Sequence, residues 1–337
     1  MSSSPSSRSS SPSSFPSARS RTWTVDDVRF DSGEVLPSLS LHYHLLGNPD
    51  DPAVLVLHGT GGSASQLLSP RFGGVLFGPG GPLDASRHFV ILPDAIGHGR
   101  SAKPSDGLRM RFPRYTYDDM VALQYRLVTE ALRLSHLKLV LGVSMGGMHA
   151  WRWAVRYPRF MDAVVPLSCQ PGPMSGRNWL MRKLMVDAVR SDPQWRDGDY
   201  VDPPPSLRVV SLMFGVAMNG GAQGMQRMAP DREQADRWLA RQWERPPSID
   251  ANDFIRQWEA SRDYDPSGEL DRIEARVLSI VSEDDERLLV RDLPGMLARV
   301  RRARLFVIPE GPRTAGHGTV GDASLWVDAL SEFLNRL

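Results

Sequence analysis

Four short runs, "AVLVLHG" (53–59), "HFVILPD" (88–94), "LKLVLGVS" (137–144) and "DAVVPLSC" (162–169), are apolar at nearly every position. A strand with one face in water alternates polar and apolar residues. A strand that is apolar throughout must be covered on both faces, as in a parallel sheet flanked by helices. Between these runs, "YDDMVALQYRLVTEALRL" (117–134) and "GGMHAWRWAVRY" (146–157) repeat apolar residues at helical spacing. Strand–helix alternation of this kind specifies a doubly wound, mostly parallel α/β sheet. Upstream, "WTVDDVRF" and "LHYHLLG" alternate as half-buried strands do. Downstream, strands return at "ARVLSIVS" (275–282) and "ARLFVIP" (303–309), and "DASLWVDALSEFLNRL" predicts a closing amphipathic helix.

The pattern breaks after Cys169. Residues 171–262 hold many prolines, methionines and tryptophans, with helical pieces and no clear strand. They read as a helical lid inserted into a core formed by residues 23–170 and 263–337. It would lie over the carboxyl edge of the sheet, where ligands bind in such folds. The methionines and tryptophans of 174–258 either line an apolar acyl pocket or pack a core. Residues 1–22 open with "MSSSPSSRSSSPSSFPSARSR", a Ser/Pro-rich stretch with no apolar core of a secretory signal. It reads as a disordered tail, with an arginine- and serine-rich transit segment as the alternative, and folded sequence is expected from about Trp23.

Composition narrows the partners. A net charge of +1 over 337 residues gives no electrostatic footprint for nucleic acid or an acidic membrane surface. No stretch approaches a membrane span. One cysteine, Cys169, excludes an internal disulfide and fits a reducing, cytoplasmic setting. The expected partners are a small-molecule ester or acyl donor and, in a homodimer, a second copy of the chain.

The third apolar run ends at Ser144, and a helical pattern starts at once. Gly142 and Gly146 flank the serine in G-x-S-x-G spacing. Such an elbow presents a hydroxyl at a helix N-terminus, and its neighbours must be small so that strand and helix can approach. A serine needs a base to act as a nucleophile. His317, in the glycine-rich "GPRTAGHGTV" loop after the last strand, is the candidate. The imidazole needs a carboxylate to orient it, and "SIVSEDDERLLV" follows the penultimate strand with Asp284 and Asp285 in competition; Asp285 is favoured. The order Ser…Asp…His follows. The backbone N–H groups of Met145 and of Thr60, in "HGTGG", are the expected oxyanion donors. His58 belongs to that loop. His98 and His149 read as structural, and His42 with His44 on one strand face make a weak metal case, so no metal is expected. Cys169 reads as packing.

In order and spacing, "HGTGG", "DAIGHGRS", "GVSMGG", "SEDD" and "GHG" resemble the α/β-hydrolase superfamily across residues 25–337. Within it, "RFPRYTYDDMVALQYRLV", "GVSMGGMHAWRWAVRYP", "DAVRSDPQWRDGDY" and "DANDFIRQWEASRDYDP" resemble homoserine O-acetyltransferases. That resemblance implies a ping-pong reaction in which Ser144 takes an acetyl group from acetyl-CoA as co-substrate and passes it to an alcohol. In those enzymes an acidic residue that contacts the acceptor's amine usually follows the catalytic histidine; here Gly318 does. "SCQPGPMSGRNWL" lacks their arginine spacing, with Arg177 nearby.

The first expectation is therefore a serine-dependent carboxylic ester hydrolase working through an acyl-Ser144 intermediate without a bound cofactor. The second is an O-acetyltransferase acting on an alcohol such as homoserine. The third is a non-catalytic binding protein on the same fold, which usually lacks a triad member.

Overall fold

The computed structural model describes residues 17–245 and 249–337. Eight strands form one sheet: β1 (Arg19–Arg29), β2 (Val35–Leu46), β3 (Ala53–Leu57), β4 (Phe89–Pro93), β5 (Leu137–Val143), β6 (Met161–Leu167), β7 (Arg276–Ser282) and β8 (Ala303–Ile308). Their spatial order is β1-β2-β4-β3-β5-β6-β7-β8. β1 and β2 pair antiparallel, as do β2 and β4; from β4 to β8 every pair is parallel.

The apolar runs are the buried central strands. In β3, Leu55 and Leu57 enter one hydrophobic core while Val54 and Val56 enter the other. Helices α1 (Gly73–Phe77), α2 (Tyr117–Arg126) and α3 (Met145–Arg156) precede the inserted segment. Trp151 and Trp153 of α3 are wholly buried on one face of the sheet. Leu76 and Phe77 of α1 pack on the other face. Thr116 caps α2 reciprocally with Asp119, which fixes where that helix starts.

The 171–262 segment contains α4 (Gly176–Arg190), α5 (Pro205–Met218), α6 (Ala222–Met228), α7 (Arg232–Glu244) and α8 (Ala251–Glu259), and no strand among its described residues. These helices share their own core, in which Met185, Trp195, Phe214, Met218 and Trp258 are buried. Most of the segment's buried methionines and tryptophans are thus packing, although Trp258 also faces a cavity. Two helices follow, α9 (Leu293–Leu297) and α10 (Val327–Leu334). No helix among the described residues is long and apolar enough to cross a membrane.

Three boundaries differ from the sequence reading. Strand β1 begins at Arg19, ahead of the expected Trp23: residues 19–22 pair with 42–45 of β2, and the Arg19 guanidinium donates to the Gly47 carbonyl at 2.6 Å. These four residues are polar and exposed, although the Ser20 hydroxyl reaches His42, so the edge carries no apolar signal. The rest of the expected tail, residues 1–16, lies outside the described residues. The 117–134 pattern gives an α-helix only to Arg126, followed by a π-helical turn over Leu127–Ala131. The closing helix spans Val327–Leu334 only, because Asp322 and Trp326 set off a short 3-10 turn before it.

Candidate active site

Ser144 stands between β5 and α3 with φ 54° and ψ −110°, a strained conformation for a residue with a side chain. The surroundings enforce it. Ser144 N–H donates to Leu167 O of β6 at 2.8 Å, and Gly146 N–H donates to His58 O at 3.0 Å. A Cβ on Gly142 would strike the Gly146 carbonyl, and one on Gly146 would strike that of Leu57. The two glycines are therefore steric requirements of the turn. Cys169 is buried behind it with its sulfur against Gly147, and burial pushes its thiol well up.

The loop after β8 brings His317 to this elbow. Nε2 of His317 lies 2.8 Å from Ser144 Oγ, and Nδ1 lies 3.0 Å from each oxygen of Asp285. The tautomer that satisfies all three groups has the proton on Nδ1, with the serine hydroxyl donating to Nε2. Burial lowers the imidazole's pKa, the Arg287 charge lowers it further, and Asp285 opposes both. Burial raises the Asp285 carboxyl, yet the facing His317 and the Arg287 N–H bond outweigh it and leave the group below its ordinary value.

Asp284 does not face the imidazole. Its Oδ2 accepts the Gly316 N–H at 3.0 Å. Its neighbours are committed in the same way. Glu283 accepts the Glu310 N–H at 3.0 Å, and Glu286 accepts the His317 N–H at 2.9 Å and the Gly221 N–H at 3.1 Å. A run of four acidic residues reads from sequence as a solvated loop. Here each carboxylate holds part of the histidine loop, and the only sequence signal for it was position after β7.

Met145 follows the serine in the chain, and Thr60 lines the same cavity as Ser144. Among the described residues neither backbone N–H donates to a protein acceptor, and both residues are buried. Met145 N–H is the first of α3, where the helix dipole favours negative charge. Two histidines brace the Thr60 loop. His58 Nε2 accepts from Ala95 N–H at 3.0 Å, which leaves its Nδ1–H for the Gly59 carbonyl at 2.9 Å. His98 places Nε2 2.9 Å from the Thr60 carbonyl, and burial pushes its pKa down to about 3. His149 is buried against Gln124, 3.1 Å away, well below its ordinary pKa through burial. His42 is held by Asp94 at 2.8 Å and by Ser20 at 2.7 Å; His42 and His44 contact edge on, with ring centroids 4.8 Å apart. Among the described residues no group of histidine, cysteine and carboxylates is arranged to hold a metal.

A cavity of about 470 Å³ opens on Ser144 and His317. The sheet side contributes the Thr60 loop; the inserted helices contribute Phe214, Gly215 and Trp258. Arg287, from the turn after β7, completes the wall. Neither Phe214 nor Arg287 stood out in the sequence, since their meeting depends on packing between distant segments. A buried serine hydroxyl, a neutral imidazole with a carboxylate behind it and two unengaged N–H groups together suit nucleophilic attack on an acyl group.

Residues 52–313 match the family model described as alpha/beta hydrolase fold. A "Probable acyltransferase" of Methanothermobacter thermautotrophicus is 29% identical over 262 residues, 75% of this chain and 79% of that protein. A homoserine O-acetyltransferase of Solidesulfovibrio magneticus is 34% identical over 205 residues, 55% of this chain and 51% of its own length. The chain thus spans about half the length of that acetyltransferase. The crystal structure of an acetylester hydrolase from Corynebacterium glutamicum superposes with a TM-score of 0.78 at 21% identity, covering 95% of each chain.

Proposed function

We propose that this chain, which belongs to the alpha/beta hydrolase fold family, is a serine-dependent acyl-transfer enzyme that hydrolyses small carboxylic esters. The observation that carries the proposal is the unbroken contact Ser144 Oγ–His317–Asp285, at 2.8 Å and 3.0 Å, on the floor of a cavity.

The steps follow from those positions. Ser144 Oγ attacks the ester carbonyl as its proton passes to His317 Nε2. Asp285 holds the Nδ1 proton and stabilises the imidazolium that forms. The Thr60 and Met145 N–H groups donate to the developing oxyanion; loss of one such donor typically costs about 10²–10³ in rate. Collapse of the tetrahedral intermediate breaks the bond to the leaving alkoxide, which takes the Nε2 proton. Water then attacks acyl-Ser144 with His317 as base again, releasing the acid and restoring the serine.

A second reading is O-acetyl transfer, in which acetyl-CoA acylates Ser144 and an alcohol takes water's place. The relatives named as acetyltransferases support it. The geometry of the acyl-enzyme is common to both readings. We favour hydrolysis because Gly318, after His317, offers no carboxylate to an amine-bearing acceptor such as homoserine.

The test supplies purified protein with an aryl acetate, and separately with acetyl-CoA with and without homoserine, following phenol and free thiol. Aryl acetate cleavage by the native protein, lost in a folded Ser144→Ala variant, is expected. Full activity in that variant ends the assignment of Ser144. Thiol release that depends on homoserine replaces hydrolysis with the second reading.

A further inference from the structure

We propose that the Ser144 cavity selects substrates that carry a carboxylate and no ammonium group, with Arg287 as the residue that binds the carboxylate. The inference rests on the acyl-transfer reading above and adds to it the charge of the substrate.

Arg287 shares the cavity wall with Ser144 and His317, and no aspartate or glutamate lines that cavity among the described residues. Its guanidinium sits over Phe214, with Cζ 4.5 Å from the ring centroid, and Nε donates to the Met218 carbonyl at the end of α5. Its two terminal amino groups donate to no protein acceptor among the described residues. The carboxylates near it are already engaged: Asp285 with His317 and the Arg287 N–H, Glu286 with the His317 and Gly221 N–H groups. Burial, and then the charge of Arg182, push the Arg287 pKa down to about 9.

Arg182 deepens the imbalance. It is 1% exposed and donates only to neutral groups, Asn178, Ser261 and Tyr117, leaving one amino group without a partner. Its Cζ sits 4.8 Å from the Trp258 ring centroid, and Trp258 in turn packs on Phe214 with centroids 4.6 Å apart. Two cations thus sandwich two aromatic rings at one wall, and neither cation forms an ion pair among the described residues. Aromatic faces offset part of the cost of burying a cation, but the unpaired charge of buried Arg182, beside half-buried Arg287, remains unfavourable. Arg287's free amino groups present the planar fork that matches a carboxylate. A positive wall with no acidic side chain favours an anion and disfavours an ammonium. A second cavity of about 350 Å³ that Arg287 also lines carries both Arg177 and Glu286, whereas the Ser144 cavity has no acidic side chain among the described residues, so the anion is expected on the Ser144 side.

The experiment compares three acetyl esters of matched shape: 3-(4-acetoxyphenyl)propanoate, its neutral amide, and O-acetyltyrosine, which adds an ammonium. The propanoate is expected to exceed each of the others in kcat/KM by about ten-fold or more, chiefly through KM. Arg287→Gln is expected to collapse the propanoate-to-amide ratio toward one, and Arg287→Lys to keep part of it. Because Arg287 also ties the turn after β7 to α5, a second measurement needs no Arg287 variant. 3-Phenylpropanoate is expected to raise the Tm of native and Ser144→Ala protein, and 3-phenylpropanamide is not. Equal rates for the three esters, an unchanged ratio in Arg287→Gln, or no Tm shift from the anion overturns the inference while leaving ester cleavage standing. Cleavage of none of the esters overturns the acyl-transfer reading, and the Tm shift then decides the anion site by itself.

Discussion

Glu286 accepts the backbone N–H of His317 at 2.9 Å through one carboxylate oxygen and that of Gly221 at 3.1 Å through the other. One side chain therefore fixes the height of the proposed base and the start of α6 together. Glu286→Ala is expected to lower stability by about 1–3 kcal/mol, since two amides lose their acceptor. It is also expected to reduce kcat by up to about 10², the scale set by a misplaced catalytic group. Thermal melts alongside kcat and KM check this; unchanged kcat in a destabilised protein shows that Glu286 supports the fold alone.

Asp285→Asn and Asp284→Asn separate the two neighbouring carboxylates. The first removes the partner of Nδ1 and favours the wrong tautomer, for which the expected loss in kcat is about 10⁴. The second leaves that contact in place and weakens the bonds that Asp284 accepts from the Gly316 N–H and the Ser282 hydroxyl. A larger loss from Asp284→Asn would reverse the assignment.

The pH profile has a defined direction. The proposed base works as neutral imidazole, and its pKa is lowered by burial and then by the Arg287 charge. Activity is therefore expected to rise with pH through an apparent value below the usual 6.5 and to stay level above it until Arg287 loses its charge near about 9. Arg287→Gln removes one lowering influence, so its acid limb is expected at higher pH in kcat/KM profiles. Stability has the same sign. His58, His98, His149 and His317 all sit below the unfolded value of 6.5. Their contribution is complete above that pH and is lost as pH falls beneath it. Each contributes up to about 1.4 kcal/mol per pH unit, measurable by denaturant melts at stepped pH.

Gly146→Ala is expected to abolish soluble expression or lower Tm sharply, because its methyl would strike the Leu57 carbonyl. Gly61→Ala has nothing within 4 Å of the added carbon and is expected to be near neutral in Tm. Equal effects from the two would remove the steric account of the elbow.

The sheet was legible because burial on both faces forces continuous apolar sequence, as at Val54–Leu57. Arg19–Thr22 escaped notice because an exposed edge strand is specified by pairing alone, and pairing leaves no periodicity. The elbow was legible for the opposite reason: Gly142 and Gly146 are local demands of one turn. Asp285 was separable from Asp284 only by direction, a property of the turn after Ser282. The Arg182–Trp258–Phe214–Arg287 wall joins segments up to 105 positions apart, from Arg182 to Arg287, and no local pattern announces it.

Two consecutive residues after the proposed triad acid, Glu286 and Arg287, are bound to the backbone at Gly221 and Met218. The inserted segment is thereby not interchangeable with that of a relative as a self-contained cassette. A chimaera that imports another 171–262 region must also import a matching 286–287 pair, or the inserted helices lose these two ties to the turn after β7. Recombination between such enzymes is therefore expected to succeed at crossover points that keep these two stretches from the same parent.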